Sequence, residues 1–229
     1  MNEIKGLEIE DFKNHQYRDI KPETDLSVED AKAFWDDKMS VNNSSDIGEN
    51  LNEVKEESTG YPKVVFEDGH NNSYDDNGNL YRIDKELLPD KEYTVNGYDY
   101  KTDHQGRIIE ASGKLHLKDH SGYKQIKDSL RDIGKGDENE ETDEKGHLVG
   151  DQFGGKDGLE NAIAQDAVLN KNDYKNLENS LARQVADGKD VRVQIEPLYE
   201  GKSHRPIAIS FTYSINGEQS VRIFPNRRE

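Results

Sequence analysis

Side chains able to bind a metal ion or transfer a proton are concentrated between residues 146 and 178. In the segment 146–155, GHLVGDQFGG, His147 lies between Gly146 and Gly150, whose missing side chains leave the backbone open to close approach. An unperturbed imidazole has a pKa of about 6.5, so His147 could act as a neutral base near physiological pH. A histidine in a glycine-flanked turn is nevertheless more often structural than catalytic, and the residue type alone leaves both interpretations open.

Three carboxylates close to His147 in sequence oppose the role of a base, because nearby negative charge favours the protonated imidazolium. They are Asp143, Glu144 and Asp151. A bound divalent cation would offset their effect.

Two asparagines and a glutamate follow the histidine. Asn170 precedes a predicted helix over residues 173–186, where asparagine is a common N-cap. Its carboxamide oxygen is also a suitable ligand for Mg²⁺, which takes few protein ligands and keeps most of its waters. On a regular helix Glu178 would lie about 80° around the axis from Asn170 and could face the same site. Spacing alone does not decide between a cap and a ligand for Asn170, or between a surface ion pair and a site residue for Glu178.

The elements that would position these residues are mostly antiparallel strands. Short alternating runs between Tyr61 and Leu117, separated by turn dipeptides, predict a β meander, with Asn96–Gly97 as its strongest hairpin signal. Alternation predicts three more strands within 191–195, 207–215 and 221–223, the last two joined at Asn216–Gly217.

Two helices and one loop complete the prediction. Residues 123–133 have a helical apolar face, and the acidic segment 136–143 is typical of a mobile surface loop. The helix over 173–186 has apolar residues spaced by three or four and a stop signal at Asp187–Gly188. Residues 1–58 are predicted to be an acidic linker with one or two short helices, and 59–229 the main domain.

The formal net charge of −17 argues against a nucleic-acid partner, because phosphate binding favours a basic surface. The acidity is uneven, however: residues 144–229 carry 13 acidic and 12 basic side chains, against 35 and 19 in residues 1–143. The near-neutral C-terminal part weakens the objection. The lack of cysteine excludes disulfides and thiolate zinc sites. No run approaches the roughly 18 apolar residues of a membrane span, and no signal peptide is readable at the N terminus.

The segments 146–155, 160–165 and 169–170, together with Tyr174 and Glu178, resemble the DNA/RNA non-specific endonuclease family. The similarity is to the branch found at the C terminus of polymorphic bacterial toxins, including those exported by type VII secretion. The resemblance implies an α+β fold: an antiparallel β meander with a ββα-metal core, in which a histidine-bearing strand or loop precedes a metal-binding helix. A C-terminal three-stranded hairpin extension would follow.

The resemblance also implies roles for individual residues. His147 would be the general base that activates water, and Asn170 the single protein ligand of the catalytic Mg²⁺, with Mn²⁺ as an alternative. Asn161 would orient the site, and Glu178 would hold a metal-bound water. All four roles come from the resemblance.

Substrate binding is where the chain departs from the family. The family's Asp-Arg-Gly-His segment reads EKGH over residues 144–147, and a lysine cannot reproduce the bidentate phosphate contact of an arginine. Lys145 and Arg131 are the candidate substrate-binding residues, with Lys124 and Lys135 behind them.

The function implied is a Mg²⁺-dependent, sequence-non-specific endonuclease acting on DNA, with RNA as the other candidate substrate. It would be a secreted toxin effector that acts in the cytoplasm of a target cell and is neutralised by a cognate immunity protein. The alternative is a non-catalytic acidic binding module, or an inactive toxin domain recognised by a protein partner. The acidity before Glu144 and the altered Glu144–Lys145 pair favour that alternative.

Overall fold

The computed structural model describes residues 63–118 and 124–226. The linker and the short helices predicted for residues 1–58 lie outside the described residues, and the domain boundary at residue 59 stays a prediction. Within the described residues the architecture is α+β with antiparallel sheets, as predicted.

The predicted meander is divided between two sheets. The first has the order β1-β2-β3-β4, with β1 at Lys63–Glu67, β2 at His70–Tyr74, β3 at Leu80–Ile83 and β4 at Glu86–Leu87. The second sheet begins with β5 (Glu92–Val95), β6 (Tyr98–Thr102) and β7 (Ile108–Lys114). The β5–β6 hairpin turns at Asn96–Gly97, both with positive φ, which confirms that prediction.

The predicted C-terminal three-stranded hairpin is present and forms half of the second sheet. β10 (Val191–Tyr199), β11 (Pro206–Ile215) and β12 (Glu218–Pro225) give the order β12-β11-β10-β7-β6-β5. β10 pairs with β7 through contacts such as Val193↔Gly113. The three predicted strands are therefore present, whereas their pairing with β7 was not predicted, because pairing between strands that are distant in sequence cannot be read from local alternation.

A hairpin and a helix form a separate ββα unit. β8 (Asp143–His147) pairs antiparallel with β9 (Ala162–Asp166), and β9 runs directly into helical residues. These comprise α2 (Ala167–Leu169), a π-helical turn (Asn170–Tyr174) and α3 (Lys175–Ala186). The helical region therefore begins six residues before the predicted position 173, and it ends at Asp187–Gly188 as predicted.

Two other predicted elements are shorter than expected. The helix predicted over 123–133 is α1 (Leu130–Gly134), because Ser129 and Asp132 form a capping box that starts it there. Before α1, the Lys127 N–H donates a hydrogen bond to the Asp157 carbonyl at 2.8 Å. The acidic loop predicted over 136–143 is shorter as well, since Asp143 is a buried strand residue.

The helix packs on the second sheet through aromatic contacts. The Tyr174 ring lies 5.4 Å from both the Phe211 and the Phe224 rings, and its hydroxyl donates to the Leu148 carbonyl at 2.7 Å. These contacts fix the helix relative to the chain just after His147. No helix among the described residues is long and apolar enough to cross a membrane.

Candidate active site

His147 is the last residue of β8 and is only 7% exposed. Burial lowers the pKa of its imidazole to about 4, while Asp151 and Asp157 oppose the shift and Lys175 and Lys118 reinforce it. The ring is therefore neutral at physiological pH. From the sequence, nearby carboxylates were expected to favour the charged ring unless a cation offset them, whereas in the structure burial keeps the ring neutral.

Two of the carboxylates expected to charge His147 are engaged elsewhere. Asp143 receives two hydrogen bonds from the Arg205 guanidinium, at 2.6 Å each, in a buried ion pair. Glu144 forms an ion pair with Lys171 on the π-helical turn. Of the three, Asp151 is the one that acts on the imidazole, and Asp157 joins it from outside the predicted set.

The turn after His147 depends on two glycines at positions of close approach. A Cβ at Gly150 would overlap the Glu178 carboxylate, with its Cδ at 2.8 Å, and a Cβ at Gly155 would lie 2.7 Å from the Asn161 Nδ2. The chain between them forms a 3₁₀ turn over Asp151–Phe153. The glycines therefore let the turn fold against the helix and against Asn161.

Asn161 holds this turn in place. It is fully buried, and its Oδ1 accepts from the Val149 N–H at 2.9 Å. Its Nδ2 donates to the carbonyls of Val149 at 2.8 Å and Lys156 at 3.0 Å. Because the side chain is bonded to the loop backbone on both sides, it can orient the site without contacting a substrate.

Glu178 supports the same turn from α3. It is 6% exposed, and burial raises the pKa of its carboxyl to about 7. Lys175, at 3.5 Å, and a hydrogen bond from the Gly150 N–H oppose this shift. The Glu178 carboxylate therefore lies against Gly150, in the turn that follows His147.

Asn170 is not the helix cap. Asp166 takes that position and accepts from the Leu169 N–H at 3.0 Å. Asn170 begins the π-helical turn instead, so the 80° relation to Glu178 assumed for a regular helix does not apply. π-helical turns of this kind are frequent at functional sites.

The surroundings of Asn170 fit a weakly coordinated Mg²⁺. The half-buried side chain directs Nδ2 toward Glu144 Oε2, at 3.5 Å, so that its Oδ1 is the atom that could coordinate a metal. No group of three or more His, Cys, Asp or Glu residues among those described could hold a metal. A cation held by the Asn170 carboxamide alone would keep mostly water ligands.

Gln165 is a residue of this unit to which the sequence gave no role. Its side chain on β9 is fully buried, and neither its Oε1 nor its Nε2 has a hydrogen-bond partner among the described residues. It packs on Gly146, where an added Cβ would stand 2.7 Å from the Gln165 Cβ. A buried, unpaired carboxamide is unfavourable and is a common mark of a functional position.

Two lysines outside the predicted set act electrostatically on His147. Lys118, just after β7, forms an ion pair with Asp151, and Lys175 on α3 pairs with Glu178. Both lie close enough to His147 to lower its pKa. Lys118 is 29 positions from His147 in sequence, so no local spacing signal could have identified it.

The residues predicted to bind substrate lie on β8 and in or next to α1. Lys145 donates its Nζ to the Ile126 carbonyl and so ties β8 to the chain before α1. Arg131 is exposed on α1. Lys135 binds Glu86 and the Lys85 carbonyl, each at 2.7 Å.

Comparison with known proteins gives one family. The family model described as DNA/RNA non-specific endonuclease matches residues 89–217, more than half of the chain. The type VII secretion system protein EssD of Staphylococcus aureus is 34% identical over 151 residues, which are 62% of this chain and 24% of that protein. The probable deoxyribonuclease RhsA of Dickeya dadantii is 29% identical over 126 residues, 53% of this chain and 8% of that protein.

A solved structure is also similar. The crystal structure of NucA from Streptococcus agalactiae with magnesium ion bound has a TM-score of 0.42 and 18% sequence identity, covering 72% of this chain and 83% of that chain. The chain spans about a quarter of the length of the EssD proteins that it matches.

Proposed function

The chain belongs to the DNA/RNA non-specific endonuclease family, and we propose that it hydrolyses phosphodiester bonds of DNA in a metal-dependent, sequence-non-specific reaction. RNA is the second candidate substrate. The observation that carries this proposal is His147: a histidine kept neutral by burial, on the hairpin whose second strand leads into Asn170. A neutral imidazole at the end of a strand is suited to accept a proton from an attacking water.

The chemistry divides between the residues of the ββα unit. His147 removes the proton from water and so makes the nucleophile. Asn170 is the residue that would hold Mg²⁺ or Mn²⁺, which when bound supplies charge neutralisation at the phosphate and at the leaving oxygen. Glu178 and Asn161 keep the turn after His147 in position, and Glu178 is near enough to that turn to retain an ordered water.

Weak sequence preference follows from the kind of contacts available. The cations beside His147, Lys118 and Lys175, can interact with phosphates, which carry no sequence information. Their pairing with Asp151 and Glu178 keeps them in place and limits the local positive charge. We therefore assign phosphate binding to these two lysines ahead of Arg131 and Lys145.

The biological role follows from the similarity to EssD. We propose that the chain is the nuclease part of a secreted effector, exported by type VII secretion and active in the cytoplasm of a target cell. A producing cell would then need a cognate immunity protein that binds and inhibits the nuclease. Expression in a bacterial host tests this role: arrested growth that His147→Ala relieves is expected, and normal growth with active enzyme present would contradict it.

The enzymatic proposal is tested by digestion of supercoiled plasmid and of single-stranded RNA with the purified chain. Activity is expected with Mg²⁺ or Mn²⁺ and should be lost with chelator or in His147→Ala. His104→Ala changes an exposed histidine in a turn and serves as the matched control, which should cleave like the wild type. A wild type that cleaves neither substrate with Mg²⁺ or with Mn²⁺ would contradict the proposal and favour the non-catalytic binding module.

A further inference from the structure

An exposed histidine is stacked on a buried tyrosine at the edge of the candidate site. The rings of His116 and Tyr98 have centroids 5.5 Å apart and an interplanar angle of 14°. Tyr98 is fully buried, whereas His116 is exposed. Because one face of the imidazole lies on Tyr98, the exposed area of the ring belongs to its other face and its edge.

The stack is held rigidly from beneath. The Tyr98 hydroxyl donates to the Phe153 carbonyl at 2.7 Å, which joins it to the 3₁₀ turn of the site. The Tyr98 ring also packs against Gly113, where a Cβ would stand 2.7 Å from Cδ1. Tyr98 is therefore held by Gly113 and Phe153, and the exposed ring of His116 lies on it.

Contacts connect His116 and the residues next to it to the turn that follows His147. A Cβ at Gly154 would lie 3.1 Å from the His116 Nε2, and the Gly154 carbonyl accepts from Asn96 Nδ2 at 2.5 Å. Two residues after His116, the Lys118 N–H donates to the Gln152 carbonyl at 3.1 Å. The Lys118 ammonium pairs with Asp151 of the same turn, so His116 and Lys118 both contact the turn that follows the proposed base.

An exposed aromatic face beside a cation is the arrangement that binds single-stranded nucleic acid, since the ring stacks a base and the cation contacts the backbone. We propose that His116 stacks an unpaired nucleobase next to the scissile phosphate, and that the enzyme prefers single-stranded over duplex substrate for this reason. Bases within a duplex are already stacked on each other and cannot offer a free face. This inference rests on the proposed function and names its substrate class.

The first test compares His116→Ala and His116→Phe on a short single-stranded oligonucleotide, on the matching duplex and on bis(p-nitrophenyl) phosphate. Loss of one stacking contact is expected to lower kcat/KM on the single strand about tenfold in His116→Ala. Hydrolysis of bis(p-nitrophenyl) phosphate, which needs no nucleobase subsite, should stay at the wild-type rate. His116→Phe keeps an aromatic face and should retain most of the single-strand activity. His104→Ala controls for loss of an exposed histidine.

The second test does not require catalysis. A single-stranded oligonucleotide carrying 2-aminopurine should lose fluorescence when it binds the wild type and His116→Phe, but not His116→Ala. Equal quenching by all three, or wild-type single-strand cleavage by a folded His116→Ala, would overturn the stacking role. A parallel loss on bis(p-nitrophenyl) phosphate would assign His116 to structural support instead. If the wild type cleaves nothing, the nuclease proposal fails while the quenching result still decides the stacking role.

Discussion

The Glu178 carboxylate lies directly against Gly150, so that a Cβ added at residue 150 would overlap Oε1 and stand 2.8 Å from Cδ. The Gly150 backbone also lowers the pKa of this carboxyl, against the larger effect of burial. The contact connects α3 to the turn that follows His147. A side chain at position 150 would therefore have to displace the Glu178 carboxylate, whereas the sequence suggested only an open backbone.

Gly150→Ala should lower both stability and activity. The buried Glu178 side chain has little room to move, and overpacking of this kind costs about 1–3 kcal/mol. Urea unfolding at neutral pH measures the loss. The double variant Gly150→Ala/Glu178→Ala removes the overlap and should recover part of the stability lost by Gly150→Ala. Strictly additive losses in the double variant would show that the two residues are not coupled.

Glu178 should make the protein less stable as pH rises. Its folded pKa of about 7 exceeds the unfolded value of 4.5, so the folded state binds more protons between these values. The contribution is fully present below about pH 4.5 and is lost as pH rises through about 7, a change on the order of 3 kcal/mol at most. Urea unfolding at several pH values should show a smaller decline for Glu178→Gln than for the wild type. Identical slopes would contradict the raised pKa.

His147 should stay unprotonated at pH values below the usual pKa of a histidine. Its pKa of about 4 keeps the ring neutral at pH values where an exposed imidazole would already be protonated. We expect kcat/KM on bis(p-nitrophenyl) phosphate to show no acid limb near pH 6.5 that belongs to this group. A decline centred near 6.5, present in the wild type and absent from the residual activity of His147→Ala, would refute the effect of burial.

Asn170→Ala should abolish metal-dependent activity without unfolding the helix. Because Asp166 is the cap, removing the Asn170 side chain leaves the helix start intact. The melting temperature without metal should change little, and any rise on adding Mg²⁺ or Mn²⁺ should disappear. Asn172→Ala is the matched control on the same turn, where Nδ2 donates to the Val168 carbonyl at 2.9 Å. Equal effects of the two substitutions would mean that Asn170 has no specific role.

Gln165→Leu should separate stability from activity. The substitution replaces two unpaired buried polar atoms by carbon at similar volume, which we expect to be neutral or stabilising. If the carboxamide serves the reaction, plasmid cleavage will fall while the melting temperature holds or rises. A destabilised variant would instead indicate that Gln165 has a structural partner in solution.

The sequence alone determined the parts of this protein that depend on neighbouring residues. The turns at Asn96–Gly97 and Asn216–Gly217 were predictable because few other residues tolerate positive φ. The end of the helix at Asp187–Gly188 was predictable for the same reason. The family was also predicted from the segment 146–178, and the match of the family model over residues 89–217 confirms it.

Only the tertiary structure decided the electrostatics and the surface of the candidate site. The neutral state of His147 results from burial. The Asp143 carboxylate is instead paired with Arg205, which lies 62 positions away in sequence. The pairing of β7 with β10 and the stacking of His116 on Tyr98 likewise join segments that are separate in sequence. Such contacts depend on how the whole chain packs. The free energy of burying a charged group likewise cannot be read from neighbouring residues in the sequence.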